Sequence, residues 1–359
     1  MQPQFIFVVC QNGTESACKK EILQQHAGLK FSFSRPGFIT FKCDLGCLPE
    51  KFILKSTFAR TYGWSIGNHK SDSSSDHLEN LLSHEQLKIS KHLHVWQRDS
   101  KIPGTGGFEP GQSVLAGQIG QGIATALSKS NDKTIIVNRH AQANDLVFDV
   151  AMIEPDYWFA GFHYAQSKSQ RWPGGTPQLS IDNSPVSRAY FKLQEALLWS
   201  GIHIQTGDVC AEIGSSPGGA CQLLLEKGAK VLAIDPADLD ESVSNHENLI
   251  HIKCRGKEIR KKELRDVKWL LSDVNVAPQY TLDMIDEIVN NQHVTKIKGL
   301  ILTLKLSDLA LADEIPKWTS RIKNLGFQIV KTRQLAFNRR EICLIAARDK
   351  FVLRSSKKR

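Results

Sequence analysis

The stretch Asp208–Asp235 restricts this chain to very few folds. A short apolar run, Val209 to Ile213, ends in Gly214-Ser215-Ser216-Pro217-Gly218-Gly219. A helical run, Ala220 to Lys227, follows, and Gly228 stands where a helix stop belongs. Lys230 to Ile234 reads as a second buried strand, closed by Asp235. Strand, glycine-rich turn, helix, strand and an acid about 20 residues past the turn make up the layout of a nucleotide-binding βαβ crossover.

Four chemistries compete for such a turn, and residue types separate them. A P-loop requires Lys-Ser/Thr after its last glycine, where this chain has Ala220-Cys221. The dinucleotide fingerprint requires a glycine where Ser216 stands, which weakens the case for a closely held pyrophosphate. Gly214 to Gly218 matches the G-x-S-x-G elbow of hydrolases. That elbow uses the N–H after the serine as an oxyanion donor, and Pro217 has none. The remaining option is the E/D-x-G-x-x-x-G turn of S-adenosylmethionine binders. Glu212 closes the strand, and Gly214, Ser215, Ser216, Pro217, Gly218 and Gly219 let adenosine and methionine approach the main chain. Asp235 then accepts from the ribose hydroxyls. The competing reading is a tight turn that holds no ligand.

At 359 residues the chain predicts two or three domains. With 41% hydrophobic and 23% charged residues it has the composition of a globular protein, and no apolar run approaches the ~18 residues of a membrane span. Gln4 to Cys10 is too short and lacks the basic flank of a signal peptide, so it reads as a first strand. The eight cysteines show no C-x-x-C pair. We therefore expect no zinc or other metal site, no disulfide framework, and reduced thiols in a cytoplasmic protein. Net charge is +9, which suits a polyanionic partner. The charge concentrates in Arg255 to Lys268 and in Arg354-Ser355-Ser356-Lys357-Lys358-Arg359. A solvated helix face would look much like the first cluster.

In the front half, Gln4 to Cys10 and Gly37 to Cys43 read as strands with a helix from Glu15 to Gln25 between them. Ile66 to Asp76 is serine-rich and reads as a surface loop or linker. Strands are predicted at Leu93 to Gln97 and Thr134 to Asn138, with a glycine-rich loop (Gly104 to Gly111) and a helix (Gln118 to Leu127) between them. Leu146 to Ile153 and Trp158 to Tyr164 flank the turn Glu154-Pro155-Asp156. Most of Trp158, Phe159, Phe162, Tyr164 and Trp172 are expected in the core and not stacked on RNA bases. Arg171-Trp172-Pro173-Gly174-Gly175 reads as more exposed and open to substrate. The expected division is 1–165 as an α+β region, 166–185 as linker, 186–350 as an α/β domain and 351–359 as a basic tail.

From Ser187 the periodicity becomes α/β. Ser187 to Leu197 is an amphipathic helix with Ser187 as N-cap and Tyr190 near N3. Strands follow the opening unit at Leu249 to Lys253, Val267 to Leu271, Gly299 to Leu304, Phe327 to Thr332 and Glu341 to Ala347. Helices fall at Thr281 to Asn290 and Asp308 to Leu325. This order predicts a doubly wound, seven-stranded, mostly parallel sheet with ligands at the carboxyl ends of its strands. Asp273 follows one strand, Lys305 ends another, and Glu341 opens the last. If that last strand is antiparallel, its start joins the same edge. Lys192 joins from the preceding helix. Each taken alone is an ordinary solvated residue, but a lysine closing an apolar strand needs a carboxylate or a ligand.

Ser187 to Leu197, the Glu212–Gly219 turn, Ser272-Asp273, Thr303-Leu304-Lys305-Leu306 and Arg339-Arg340-Glu341 resemble the FtsJ-type RNA ribose 2'-O-methyltransferases. Total length and the spacing from Asp273 to Pro278 are most similar to the branch acting on large-subunit rRNA. The resemblance implies a Rossmann-like class I methyltransferase domain preceded by a THUMP-like RNA-binding region. It implies S-adenosylmethionine as donor, with Asp273 lying next to it as well as next to the acceptor. It implies a catalytic tetrad of Lys192, Asp273, Lys305 and Glu341, and a ribose hydroxyl of 23S rRNA, a cytidine, as acceptor. The chain departs from the family at Ala220-Cys221, where an aromatic is usual, and at Cys254-Arg255-Gly256, where an acid often helps to hold adenine. Lys305 is expected to orient the hydroxyl and take its proton or stabilise the alkoxide, with Lys192 and burial favouring a neutral amine and Asp273 and Glu341 opposing it. The rival readings are a non-catalytic rRNA-binding or ribosome-assembly protein with a vestigial pocket, and a small-molecule methyltransferase. A monomer or weak oligomer is expected.

Overall fold

In this computed structural model, which describes residues 4–131, 133–179 and 184–349, the chain forms two units, Met1–Gln178 and Leu179–Arg359. The basic tail expected at 351–359 lies outside the described residues.

The first unit is built from β1 (Phe5–Val9), α1 (Glu15–Gln25), β2 (Leu29–Arg35), β3 (Phe38–Cys43), β4 (Thr61–Lys70), α2 (Ser74–Leu82), α3 (Glu85–Ile89), β5 (His92–Gln97), α4 (Val114–Asn131), β6 (Ile136–Val137), β7 (Leu146–Glu154) and β8 (Tyr157–Tyr164). Among the described residues its strands make one sheet in the order β2-β3-β1-β4-β8-β7-β5-β6. The sheet rolls up strongly. Phe33, on edge strand β2, lies 5.7 Å ring to ring from Phe159 on β8, although three strands separate them in the order. Bulges at Phe31/Phe33 and Ser65/Gly67 supply the extra twist. Phe7, Phe38, Trp96 and Phe159 fill the concave side. Gly161 permits this, since a Cβ there would sit 2.7 Å from the Phe7 ring. Elsewhere Ala116, Ile123 and Leu127 of α4 pack on Leu93, Val95, Phe148 and Val150.

Four expectations for this unit are corrected. Leu29–Arg35 is a strand where none was expected, although Leu29-Lys30-Phe31-Ser32-Phe33-Ser34 alternates apolar and polar residues; its burial does not follow that alternation, since Phe31 is exposed. Ile66 to Asp76 is no loop. Its first part completes β4, paired with β8, and its serines cap α2, where Ser73 accepts from the Asp76 N–H at 3.4 Å. Cys43 and Cys47 are disulfide-bonded, contrary to the expectation of reduced thiols. Their four-residue separation spans the turn after β3 with Cα atoms 6.2 Å apart, within the reach of a bridge. Cys10, Cys18, Cys210, Cys221, Cys254 and Cys343 are free. Lastly, the segment from Arg171 to Gly175 is not exposed to substrate. Two short 3-10 turns fold it in, Trp172 is 3% exposed, and its ring stacks 6.0 Å from His140. Trp158, Phe159 and Phe162 are buried as expected.

The second unit comprises α5 (Ala189–Ser200), β9 (Val209–Ile213), α6 (Gly219–Glu226), β10 (Lys230–Ile234), α7 (Glu241–Ser244), β11 (Leu249–Ile252), β12 (Trp269–Ser272), α8 (Pro278–Val289), β13 (Gly299–Lys305), α9 (Ile315–Asn324), β14 (Ile329–Arg333) and β15 (Glu341–Ala347). The strand order is β11-β10-β9-β12-β13-β15-β14. All pairings are parallel except those of β15, which runs antiparallel to both neighbours. Leu193, Leu197, Leu224, Leu271 and Ile345 belong to one core, while Leu270, Leu300, Leu302 and Leu344 are also fully buried. Both faces of the sheet's inner strands are therefore covered, which is why β12, β13 and β15 read as nearly continuous apolar runs, while the edge strands β11 and β14 are partly open. The chain order reverses between β9 and β12, and the crevice at such a switch point is where ligands bind in open α/β sheets.

Ser187 is not the N-cap of α5. The cap is Arg188, whose side chain makes no capping bond and instead donates from Nη2 to the Phe337 carbonyl at 2.9 Å, and Ser187 Oγ is buried without a partner among the described residues where Gly219 packs against it.

Candidate active site

The turn after β9 presses against the end of β12. Gly214 has φ +82°, and a Cβ there would lie 2.7 Å from Val274 Cγ1 and 2.8 Å from the Asp273 carbonyl oxygen. Only glycine satisfies both the backbone and the space. Gly218 precedes α6, Gly219 begins it, and the Ser216–Pro217 peptide is cis. Asp235, just past β10, closes the turn from the other side. Its carboxylate accepts from the Ser216 N–H at 3.1 Å and the Ala237 N–H at 2.8 Å. Ser216 Oγ donates to the Asp238 carbonyl at 2.8 Å, and Ser215 Oγ is buried without a partner among the described residues.

A cleft of about 540 Å³ opens beside this turn, lined by Gly214, Asp235, Arg255, Val276, Tyr280 and Met284 among others. Thr281 also lines it, 1% exposed, its hydroxyl without a partner among the described residues. Tyr280 is 59% exposed at the cleft and carries Lys257 over its ring at 4.4 Å. Cys254, Arg255 and Gly256, noted as departures, form part of this wall. A mixed apolar and polar cleft of this volume fits a nucleoside-sized ligand. The Asp235 carboxylate keeps lone pairs for ribose hydroxyls beyond its two backbone donors.

Glu212 lies elsewhere. It is 2% exposed, accepts from Cys221 Sγ at 2.9 Å, and lines a separate cavity of about 30 Å³ with Lys192, Ser272 and Asp273. Burial, reinforced by the Asp273 charge, pushes its carboxyl up to about 8. Glu212 is therefore a largely protonated acid near neutral pH, and its side chain is absent from the wall of the larger cleft.

The four charged residues singled out in the sequence meet. Lys192 Nζ donates to Asp273 Oδ2 and, at 3.1 Å, to Glu341 Oε1. Lys305 Nζ donates to Asp273 Oδ1 at 2.9 Å and to Glu341 Oε2 at 2.6 Å. Each lysine bridges both acids, so the charges alternate around a closed quadrilateral. Topology delivers it. Lys305 ends β13, Glu341 opens β15 as its direct antiparallel partner, Asp273 follows β12, and Lys192 descends from α5. The side chains are largely buried, from 7% exposed for Glu341 to 21% for Lys305. Burial raises the Asp273 carboxyl, but Lys192 and Lys305 outweigh it and hold it below the usual range. Glu341 is depressed in the same way, with Asp273 opposing. Burial disfavours the Lys305 charge, yet Asp273 and Glu341 more than compensate and lift its pKa. The balance left open in the sequence thus falls on the ammonium side.

Two supporting residues were not singled out beforehand. Asn338 is fully buried, donates to Glu341 Oε1 at 3.3 Å and accepts from the Leu335 N–H at 2.8 Å. Glu195, also fully buried, accepts from the Ala336 and Phe337 N–H groups at 2.9 and 3.1 Å. Helix α5 thereby supplies Lys192 and also fastens the loop that presents Glu341. The available signal was an acid on the apolar stripe of that helix, between Leu193 and Ala196. The basic cluster is mostly surface: Arg260 and Arg265 pair with Glu263 and Asp266, and Lys268 with Asp208.

A seven-stranded sheet with one reversed strand, a glycine turn after its first strand and an acid after its second defines a class I methyltransferase domain. Residues 185–331 match the FtsJ-like methyltransferase family, and the second unit is an FtsJ-like methyltransferase domain. The resemblance stated from the sequence is borne out; Glu341 lies beyond the matched segment. Among similar curated proteins, a ribosomal RNA large subunit methyltransferase M of Pseudoalteromonas translucida (strain TAC 125) is 28% identical over 208 residues, 56% of each chain. The chain thus spans little more than half the length of that relative. Another of the same name, from Photorhabdus sp. (strain Az29), is 25% identical over 368 residues, 94% of each chain. A putative hemolysin from Lactococcus lactis superposes with TM-score 0.38 at 23% identity, over 46% of this chain and 89% of its own, a likeness too slight to argue from. No helix among the described residues is long and apolar enough to cross a membrane.

Proposed function

We propose that the chain transfers a methyl group from S-adenosylmethionine to a ribose 2'-hydroxyl of large-subunit rRNA, on a cytidine. The observation that carries this reading is the alternating ion-pair quadrilateral of Lys192, Asp273, Lys305 and Glu341 beside the Gly214 turn. The large-subunit assignment rests on relatives that bear that name.

In this reading the donor's adenosine occupies the cleft beside Gly214, with Asp235 on its ribose and the Thr281 hydroxyl among the groups that receive it. The donor supplies an electrophilic methyl on a positive sulfonium. A ribose hydroxyl is a weak nucleophile, and the protein's task is to aim it and manage its proton. Lys305 has three N–H groups, two engaged by Asp273 and Glu341, which leaves the third to point at the hydroxyl oxygen. As an ammonium it orients the acceptor and stabilises charge developing on oxygen. To accept the proton it must first lose its own, and a second positive charge seated nearby lowers its pKa in that direction. Lys192 neutralises the outer oxygens of both acids and keeps them fixed. The first unit is the RNA-engaging, THUMP-like region.

The test is incubation of the chain with labelled S-adenosylmethionine and rRNA from cells lacking its gene. Lys305→Ala is expected to abolish incorporation while donor binding by calorimetry persists. Undiminished turnover by that variant removes Lys305 from the role.

A further inference from the structure

The rolled sheet of the first unit leaves an open cleft of about 700 Å³ at one end of its aromatic core. Phe33, Tyr157 and Phe159 meet on its wall, with ring centroids 5.1 to 6.1 Å apart. Phe33 and Tyr157 are only half-buried, so aromatic surface faces the opening. Three polar side chains converge on the same space: Asn68 and Gln86 carboxamides and the His84 ring. None of the three shows a side-chain hydrogen bond among the described residues, and His84 Nε2 is buried without a partner. Burial lowers the His84 pKa, so the ring is neutral and offers one donor and one acceptor near neutral pH. A buried polar atom such as His84 Nε2 normally finds a partner. Its place beside two open carboxamides and a cluster of aromatic rings is a pattern of recognition and not of core packing.

We propose that this cleft takes an unpaired nucleobase of the RNA substrate, stacked on Phe33 and Tyr157 and hydrogen-bonded at its edge by Asn68, Gln86 or His84. The inference rests on the RNA-directed reading above and adds to it a single-stranded feature recognised at a distinct place on the first unit. A nucleobase is the ligand that presents a flat π face and a rim of donors and acceptors together. Carboxamides supply both hydrogen-bond senses on one group, as base edges require. Cations stand at the rim for the flanking phosphates. Arg35 lies 4.7 Å over the Phe33 ring and pairs with Glu154, and Lys70 pairs with Asp156 at 3.3 Å. Both pairs are solvent-exposed, so they exchange for phosphate at little cost.

The test uses the full chain without donor and short mixed-sequence RNA carrying 5-iodouridine, single-stranded or annealed to its complement. Anisotropy is expected to show that Asn68→Ala and Phe33→Leu weaken single-strand binding about five-fold or more while leaving duplex binding unchanged. Photocross-links from the single strand are expected at Phe33, Tyr157 or Phe159. Asn68 is exposed and makes no side-chain bond among the described residues, so its variant folds even if the Phe33 variant does not. Wild-type affinity in the Asn68 variant together with cross-links elsewhere overturns the proposal. Methyl transfer is measured separately: a wild-type chain that binds single strands through this cleft and never methylates RNA sinks the enzymatic reading and leaves the cleft assignment standing.

Discussion

Lys305 and Glu341 are direct partners across the antiparallel pair β13–β15, with Nζ and Oε2 2.6 Å apart. The reversed strand is what makes this contact possible. Were β15 parallel, Glu341 would open it at the opposite edge, and Lys305 would keep only Asp273.

That pairing sets a pH dependence. The Lys305 pKa is raised in the free chain, because Asp273 and Glu341 outweigh burial. If the amine accepts the hydroxyl proton, kcat/KM rises with pH and keeps rising into the alkaline range. Glu341→Gln removes one of the two acids and is expected to shift the profile to lower pH while lowering the maximal rate. A profile unchanged by Glu341→Gln contradicts the coupling.

Asn338 holds Glu341 by one hydrogen bond and its own loop by another. Asn338→Ala is expected to reduce kcat about ten-fold with little change in donor affinity, and to cost about 1–3 kcal/mol of stability through the unpaired Leu335 N–H. Denaturant melts and single-turnover kinetics separate the two effects.

In the proposed reading Asp235 acts on the donor and not on the acceptor. Asp235→Ala removes the acceptor for the Ser216 and Ala237 N–H groups as well as the proposed ribose contact. Calorimetry is expected to show donor affinity lowered about 10- to 100-fold, in line with hydrogen bonds to a charged group.

How much of this was legible in the sequence follows from burial. The inner strands of the second unit are covered on both faces, so Leu300 to Leu304 and Ile342 to Ala346 announce themselves as apolar runs with charged residues at their ends. β2 is legible in the alternation Leu29-Lys30-Phe31-Ser32-Phe33-Ser34, which the sequence reading above does not use, whereas the outer half of β4 is obscured by Gly67, Asn68, His69 and Lys70, where the strand is mostly open to solvent. Trp172 was misjudged because its neighbours are the residues of an exposed turn. Tertiary contacts fold the segment inward: Trp172 stacks on His140, the Ala141 N–H donates to the Arg171 carbonyl at 3.0 Å, and His163 bonds the neighbouring Gln170 carbonyl at 2.6 Å. Cys43 and Cys47 stand outside a sequence reading that weighs only C-x-x-C pairs, since three residues separate them.

The first unit carries its own pH response. His94 is fully buried, and burial, opposed by Asp149 and reinforced by His163, lowers its pKa to about 4. The unfolded chain binds that proton more readily, so stability falls as pH drops below about 6.5, by roughly 3 kcal/mol at pH 4. His163 acts in the opposite sense. Burial lowers its pKa, but Asp149 at 2.5 Å raises it overall, and its contribution is lost only as pH rises through the raised value. His94→Gln, which keeps a donor for the Arg139 carbonyl, is expected to flatten the acid limb of a pH–stability curve. An acid limb as steep as wild type contradicts this assignment.

The most direct measurement is the chemical position of the transferred methyl. Large-subunit rRNA from cells lacking the gene is labelled with the wild-type chain and then hydrolysed in alkali. One alkali-resistant dinucleotide carrying the label on ribose is expected, absent with Lys305→Ala. Label on a base, or none in rRNA under conditions where the donor binds, would contradict it.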